Sequence, residues 1–212
     1  MLTKFSKEHR DLFIREINPG EETLERLDAY GAVLRQWQAR LNLVGDSTLP
    51  ALWSRHFLDS AQIYRHLPTS AKTLTDLGSG GGFPGMVLAI LTIMGGGPIV
   101  TLIESNGRKA EFLREVNRIC AAGAKIMHVR AECATILPAD VVTARACAPL
   151  IRLLPWVHHC LKADGIALLS KGLNWRDELT AVKKNWSMGL AEIPSITDTS
   201  GVILKLEGLN PN

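Results

Sequence analysis

Apolar positions recur at spacings of three and four in the N-terminal third of the chain. Leu24, Leu27, Gly31, Leu34 and Trp37 fall on one face, the pattern of an amphipathic helix. Residues 42–50 break it. A second helix takes it up through Leu52, His56, Phe57 and Ile63 and stops before Pro68. Nothing between residues 21 and 67 alternates as a strand does, so residues 1–72 read as a helical N-terminal extension.

The pattern changes at residue 73. Short strands are predicted at 73–77, 99–104, 125–129, 140–144, 165–170 and 202–206. Helices are predicted between them at 85–93, 108–122, 150–161 and 175–186. The run 99–104 is apolar throughout and ends in Glu104, as befits a parallel strand covered on both faces. This rhythm predicts an α/β fold with a mainly parallel, doubly wound sheet over residues 73–212. With 212 residues, the chain suits one compact unit made of this domain and its extension.

Composition narrows the class. Hydrophobic residues make up 46% and charged residues 21%, a globular balance that excludes disorder. The net charge of +3 is too small to mark the whole surface as a nucleic-acid binder, so any RNA-facing region must be a local cluster. The four cysteines, Cys120, Cys133, Cys147 and Cys160, form no C-x-x-C pair. They read as reduced thiols of a cytoplasmic protein and not as a metal site. The first ten residues lack a signal-peptide apolar run. The most apolar stretch, 86–94, is too short to cross a bilayer. A monomeric protein with no membrane partner is expected.

The most informative local feature is Asp76-Leu77-Gly78-Ser79-Gly80-Gly81-Gly82-Phe83-Pro84-Gly85, set between the first predicted strand and its helix. Glycines there let backbone turn sharply and approach a ligand. Two registers compete. Gly80-x-Gly82-x-x-Gly85 matches the dinucleotide fingerprint, but it puts Pro84, which has no N–H, at the helix start. Asp76-x-Gly78-x-Gly80-x-Gly82 matches the acid-plus-glycine pattern of class I methyltransferases, whose S-adenosylmethionine carries a sulfonium and an ammonium in place of phosphates. The acid at the loop entrance favours the second register. Glu104 follows the loop at roughly the ~20-residue separation at which a strand-end acid bridges ribose hydroxyls. After the next strand, Ala131 and Glu132 are set to read an adenine edge.

The segment Thr143-Ala144-Arg145-Ala146-Cys147-Ala148-Pro149 bears on the methyl acceptor. It lacks the Asn/Asp-Pro-Pro-aromatic motif of exocyclic-amine methyltransferases. Cys147 lacks the Pro-Cys context of a pyrimidine-C5 nucleophile and reads as a small buried residue. Guanine N7 needs neither device, because its lone pair attacks without losing a proton and alignment does the work. His158 and His159 read as surface or capping residues.

Arg55-His56-Phe57-Leu58-Asp59-Ser60, the loop 76–85, Glu104-Ser105-Asn106-x-Arg108-Lys109-x-x-Phe112-Leu113, Arg145-Ala146-x-Ala148 and Ser170-Lys171-Gly172 together resemble the RsmG (glucose-inhibited division protein B) family. The resemblance covers roughly residues 24–206. It implies a Rossmann-like class I methyltransferase fold and methylation of N7 of a guanine in the 530 loop of 16S rRNA. By resemblance, Gly78, Phe83, Ala131, Glu132 and Arg145 take cofactor-contact positions beside Gly80 and Glu104, and Arg145 is the candidate for a catalytic role. Arg55, His56, Arg108, Lys109 and Lys171 are the candidate RNA-facing cations, with Asp59 expected to pair with Arg55 at i, i+4. The 16S rRNA or the small ribosomal subunit is the partner implied. A small-molecule methyltransferase on the same fold, or a non-catalytic RNA-binding module, would share many of these features.

Overall fold

The computed structural model describes residues 6–93 and 95–212. It opens with α1 (Lys7–Ile17) and α2 (Glu21–Gln38). A 3-10 turn (Asp46–Ala51), a π-helical stretch (Trp53–Leu58), the short α3 (Asp59–Ala61) and a second 3-10 turn (Gln62–His66) then follow almost without interruption. Beyond them come β1 (Thr73–Leu77), α4 (Gly85–Thr92), β2 (Ile99–Glu104), α5 (Gly107–Ile119), β3 (Lys125–His128) and β4 (Ala139–Arg145). The chain closes with α6 (Leu150–Cys160), β5 (Leu161–Lys171), α7 (Trp175–Val182), β6 (Trp186–Pro194) and β7 (Val202–Pro211).

The strands form one seven-stranded sheet in the order β3-β2-β1-β4-β5-β7-β6. The first five are parallel, and β7 and β6 are antiparallel additions at one edge. The chain moves outward from β1 in one direction, then returns to β1 and moves outward the other way through β4. The C-terminal ends of β1 and β4 therefore flank the switch point where open α/β sheets bind ligands.

Apolar side chains pack on both faces. On one, Phe13, Leu27, Tyr30, Trp53 and Phe57 from the N-terminal helices join Met86, Phe112 and Leu113 from α4 and α5 in one buried cluster. On the other, α6 and α7 set Leu150, Leu154, Val157 and Trp175 against Val142 and Leu169. The N-terminal helices are thus part of the main core.

The sequence pattern missed two elements. Helix α1 buries only Phe13 fully, so its apolar face is too thin to register. Strand β6 is an edge strand exposed along most of its length, and its residues carry little alternation. The helix expected over 175–186 ends at Val182, and Trp186 instead begins β6. Among the described residues no helix is long and apolar enough to cross a membrane.

Candidate functional site

The glycine loop leaves β1 through backbone that other residues adopt only under strain: φ is +65° at Gly78 and +54° at Gly80. A Cβ on Gly78 would run into the Cys147 sulfur, so the loop lies flush against the chain leaving β4. The Gly80 N–H donates to Glu104 Oε2 at 2.8 Å, and Asn106 N–H donates to Oε1 at 2.7 Å. Glu104 is only 6% exposed. It joins the loop after β1 to the start of α5 and fixes a carboxylate at the end of β2.

A cavity of about 460 Å³ opens over these strand ends, within the range of small-ligand sites. Its wall includes Gly78, Gly80, Phe83, Glu104, Ala131, Glu132 and Arg145, the residues that the sequence grouped as a cofactor site. A buried carboxylate beside bare glycine backbone fits a nucleoside: the acid accepts from ribose hydroxyls, and the absent side chains make room for the rest. Glu132 is exposed and approaches Arg130 at 3.8 Å.

Asp76 does not enter this cavity. It is fully buried, Thr143 Oγ1 donates to its Oδ1 at 2.8 Å, and burial pushes its carboxyl up to about 6. The loop-entrance acid expected to face a sulfonium instead packs against α4, where Gly85 alone leaves space for it: a Cβ there would lie 2.6 Å from Asp76 Cβ.

A second cavity, about 710 Å³, continues from the first along the ends of β4, β5 and β7. Arg145, Ala146 and Cys147 line both. Arg145 is held on several sides. Its Nη1 donates to Asp59 Oδ2 at 2.9 Å and to Arg55 O at 3.2 Å, and its Nη2 to His56 Nδ1 at 2.9 Å. Its guanidinium sits 4.9 Å from the Phe83 ring centroid, a cation–π distance. The Phe83 ring stacks in turn on Tyr30, whose hydroxyl donates to Gly81 O. Phe83 therefore supports the guanidinium from the buried side.

His56 is not the RNA-facing cation expected from the sequence. Burial, then the charges of Arg145 and Arg55, lower its pKa to about 3, so the ring is neutral. Because Arg145 donates to Nδ1, the ring proton lies on Nε2, directed at Thr48 Oγ1 2.8 Å away. Asp59 does not pair with Arg55 either. The π-helical turn alters the spacing, so Asp59 meets Arg145 and Arg55 meets Asp198 at 3.4 Å. Lys171 also turns inward, its Nζ donating to Ala148 O at 2.8 Å and Glu178 at 2.7 Å with the side chain 9% exposed. Arg108 Nη2 donates to Arg40 O at 3.1 Å, while Lys109 lines the first cavity. Arg55 keeps 47% of its side chain exposed.

The sequence did not single out Thr48 or Glu178, both of which line the second cavity beside Ser170. Ser170-Lys171-Gly172 was visible as a motif, but nothing in it distinguishes a wall residue from a cation. Cys147 sits at the junction with its thiol pushed up to about 11 by burial, a poor nucleophile. Among the described residues no cluster of His, Cys, Asp and Glu could hold a metal.

A family model described as rRNA small subunit methyltransferase G matches residues 23–203. The chain is 52% identical over 190 residues to the ribosomal RNA small subunit methyltransferase G of Rhodospirillum centenum, covering 90% of this chain and 86% of that one. It is 50% identical over 185 residues to the protein of the same name from Paramagnetospirillum magneticum, covering 87% and 88%. Among solved structures, an O-methyltransferase from Bacillus cereus in complex with SAH superposes with a TM-score of 0.59 at 14% identity, covering 93% of this chain and 96% of that chain. A putative O-methyltransferase from Klebsiella pneumoniae gives 0.59 at 15% identity, covering 94% and 96%. At such identities these two likenesses concern the fold.

Proposed function

The chain belongs to the rRNA small subunit methyltransferase G family, and from that premise we propose that it methylates N7 of a guanine in the 530 loop of 16S rRNA. S-adenosylmethionine is the donor. The observation that carries this reading is the pair of cavities meeting at Arg145, Ala146 and Cys147. One has the glycine loop and Glu104 in its wall, and the other is roomy enough for a base taken out of its stack.

When bound, S-adenosylmethionine supplies an electrophilic methyl carbon with a neutral thioether as leaving group. Glu104 would hold the ribose hydroxyls, Ala131 and Glu132 the adenine edge, and the turn at Gly78 and Gly80 the remaining backbone-facing part. Phe83 would act through the guanidinium stacked on it. On the acceptor side the guanine N7 lone pair would take up that methyl carbon, the electron pair of the C–S bond remaining on the departing thioether. No proton leaves N7, so no general base is needed, and the positive charge passes to the ring system. The contribution asked of the protein is alignment, which can supply several kcal/mol. A neutral His56 and an Arg145 held by Asp59, Arg55 O and His56 suit that role, since both are rigid.

Phosphate contacts would position the RNA. Arg55, Arg108 and Lys109 are the cations proposed for this, while Lys171 and His56 act from within the cavity wall. The protein is proposed to act as a monomer in the cytoplasm, with residues 43–62 of the helical extension forming part of the acceptor-side wall.

Small ribosomal subunits incubated with the purified protein and methyl-labelled S-adenosylmethionine test the reading. Nuclease digestion is expected to return the label as N7-methylguanosine, mapping to one position in the 530 loop. Label in an exocyclic amine, or in small molecules and not in RNA, would reject it.

A further inference from the structure

The second cavity has a recognition surface that methyl transfer itself does not use. Its carboxylates are Asp59, Glu178 and Asp198. Asp59 is fully engaged: Oδ1 accepts from Gln62 Nε2 at 2.9 Å and Thr197 Oγ1 at 2.7 Å, and Oδ2 from Arg145 at 2.9 Å. Asp198 uses Oδ1 for the Ser200 N–H at 2.9 Å and hydroxyl at 2.7 Å, and Oδ2 for Arg55 at 3.4 Å.

Glu178 differs. Its Oε2 accepts from Leu150 N–H at 2.8 Å and Lys171 Nζ at 2.7 Å, whereas its Oε1 accepts no hydrogen bond among the described residues. Two anchors on one oxygen hold the carboxylate in place and leave the other oxygen open. Lys171 follows directly on Ser170, which pairs in register with Arg145 across β4 and β5. An open acceptor thus lies at the β5–α7 end of the cavity, on the opposite side of the β4 junction from the glycine loop.

Guanine matches this arrangement. With N7 turned toward the junction, its Watson–Crick edge faces the other way. That edge offers N1–H and N2–H₂ donors beside the O6 acceptor, whereas adenine offers an N1 lone pair that a carboxylate repels. We propose that Glu178 is a specificity-determining residue: its Oε1 accepts from the N1–H and N2–H₂ donors. Lys171 is a positioning residue that fixes the Glu178 carboxylate. The inference rests on the methylation reading above and adds to it which groups select the base.

The test compares small subunits reconstituted with guanine or with hypoxanthine, which lacks only the 2-amino group, at the acceptor position. For the wild-type protein, kcat/KM is expected to fall about 10- to 100-fold on hypoxanthine, as when a site loses a hydrogen bond it was built to make. Glu178→Gln is expected to lower guanine kcat/KM by about 30-fold or more and bring the guanine-to-hypoxanthine ratio to within about threefold. Its affinity for S-adenosylhomocysteine, read by calorimetry, should be unchanged. Lys171→Met, which removes the anchor of the Glu178 carboxylate, should likewise narrow the guanine-to-hypoxanthine ratio at unchanged cofactor affinity.

A wild-type ratio near one, or an unchanged ratio in Glu178→Gln or Lys171→Met, overturns the assignment. If Glu178→Gln does not fold, the wild-type ratio and Lys171→Met still decide it. Failure to label guanine at all would sink the methylation reading instead, so the two failures are distinguishable.

Discussion

His56 shows how one buried side chain carries a measurable consequence. Its folded pKa of about 3 lies below the usual value of 6.5. Between these values the unfolded chain binds a proton that the folded protein refuses. Its contribution to stability is therefore complete above pH 6.5 and is lost as pH falls toward 3, at up to about 1.4 kcal/mol per pH unit. Asp76 works in the opposite sense: with its carboxyl pushed up to about 6, the folded state binds the extra proton between pH 4 and 6. The two partly cancel in the wild type. Urea unfolding of wild type and His56→Gln at pH 7, 6 and 5 should show the stability difference moving in favour of the variant on acidification. A difference independent of pH would mean that the ring is not held neutral.

The residues legible in the sequence were those whose backbone or chain position carries the signal. Gly78, Gly80 and Glu104 could be read because a strand–turn–helix with a strand-end acid has only a few chemical uses. Asp76 was visible for the same reason, but its direction was not: whether an acid at a strand end faces a ligand or a neighbouring helix depends on Gly85 nine positions later in the chain. His56, Lys171 and Glu178 needed tertiary partners. Nothing local indicates that a lysine will be satisfied by Ala148 O and Glu178.

At the scale of elements, the π-helical turn Trp53–Leu58 decides how the site is assembled. It carries Asp59 away from Arg55 and toward Arg145, and lets Asp59 and Gln62 reach the β6–β7 connection through Thr197 and Ser195. Asp59→Ala would leave Arg145 without its carboxylate and release this connection. A partly buried pair that loses one partner costs about 3 kcal/mol, so a fall of that order in urea-unfolding stability is expected. Faster amide exchange at Thr197 and Ile196 should accompany it. Retained protection there would show that the connection is held by other means. No hydrophobic period tells a π turn from an α-helix or announces an edge strand such as β6, whereas α2, β1, β2 and α5 were plain in the sequence pattern.

At the scale of the molecule, the N-terminal helices and the sheet share one apolar cluster running from Phe13 and Trp53 to Phe112 and Leu113. They are expected to unfold together. Trp fluorescence and far-UV circular dichroism should give coincident urea transitions, whereas a separate early transition would mark the extension as an independent unit. Saturation with S-adenosylhomocysteine at 100 times its Kd should raise the stability of the whole transition by about 2.7 kcal/mol. The sheet order places the ends of β1 and β4 at the switch point. The glycine loop and Arg145 consequently face one crevice although they lie some distance apart in sequence.

The account depends on that crevice closing around a nucleoside with Glu104 on its sugar. Calorimetric titration of S-adenosylhomocysteine into the wild-type protein and Glu104→Ala tests it directly. Saturable one-site binding by the wild type, weakened about 30-fold or more in the variant at unchanged far-UV circular dichroism, is the predicted result. No binding by the wild type, or equal affinity in both proteins, would contradict it.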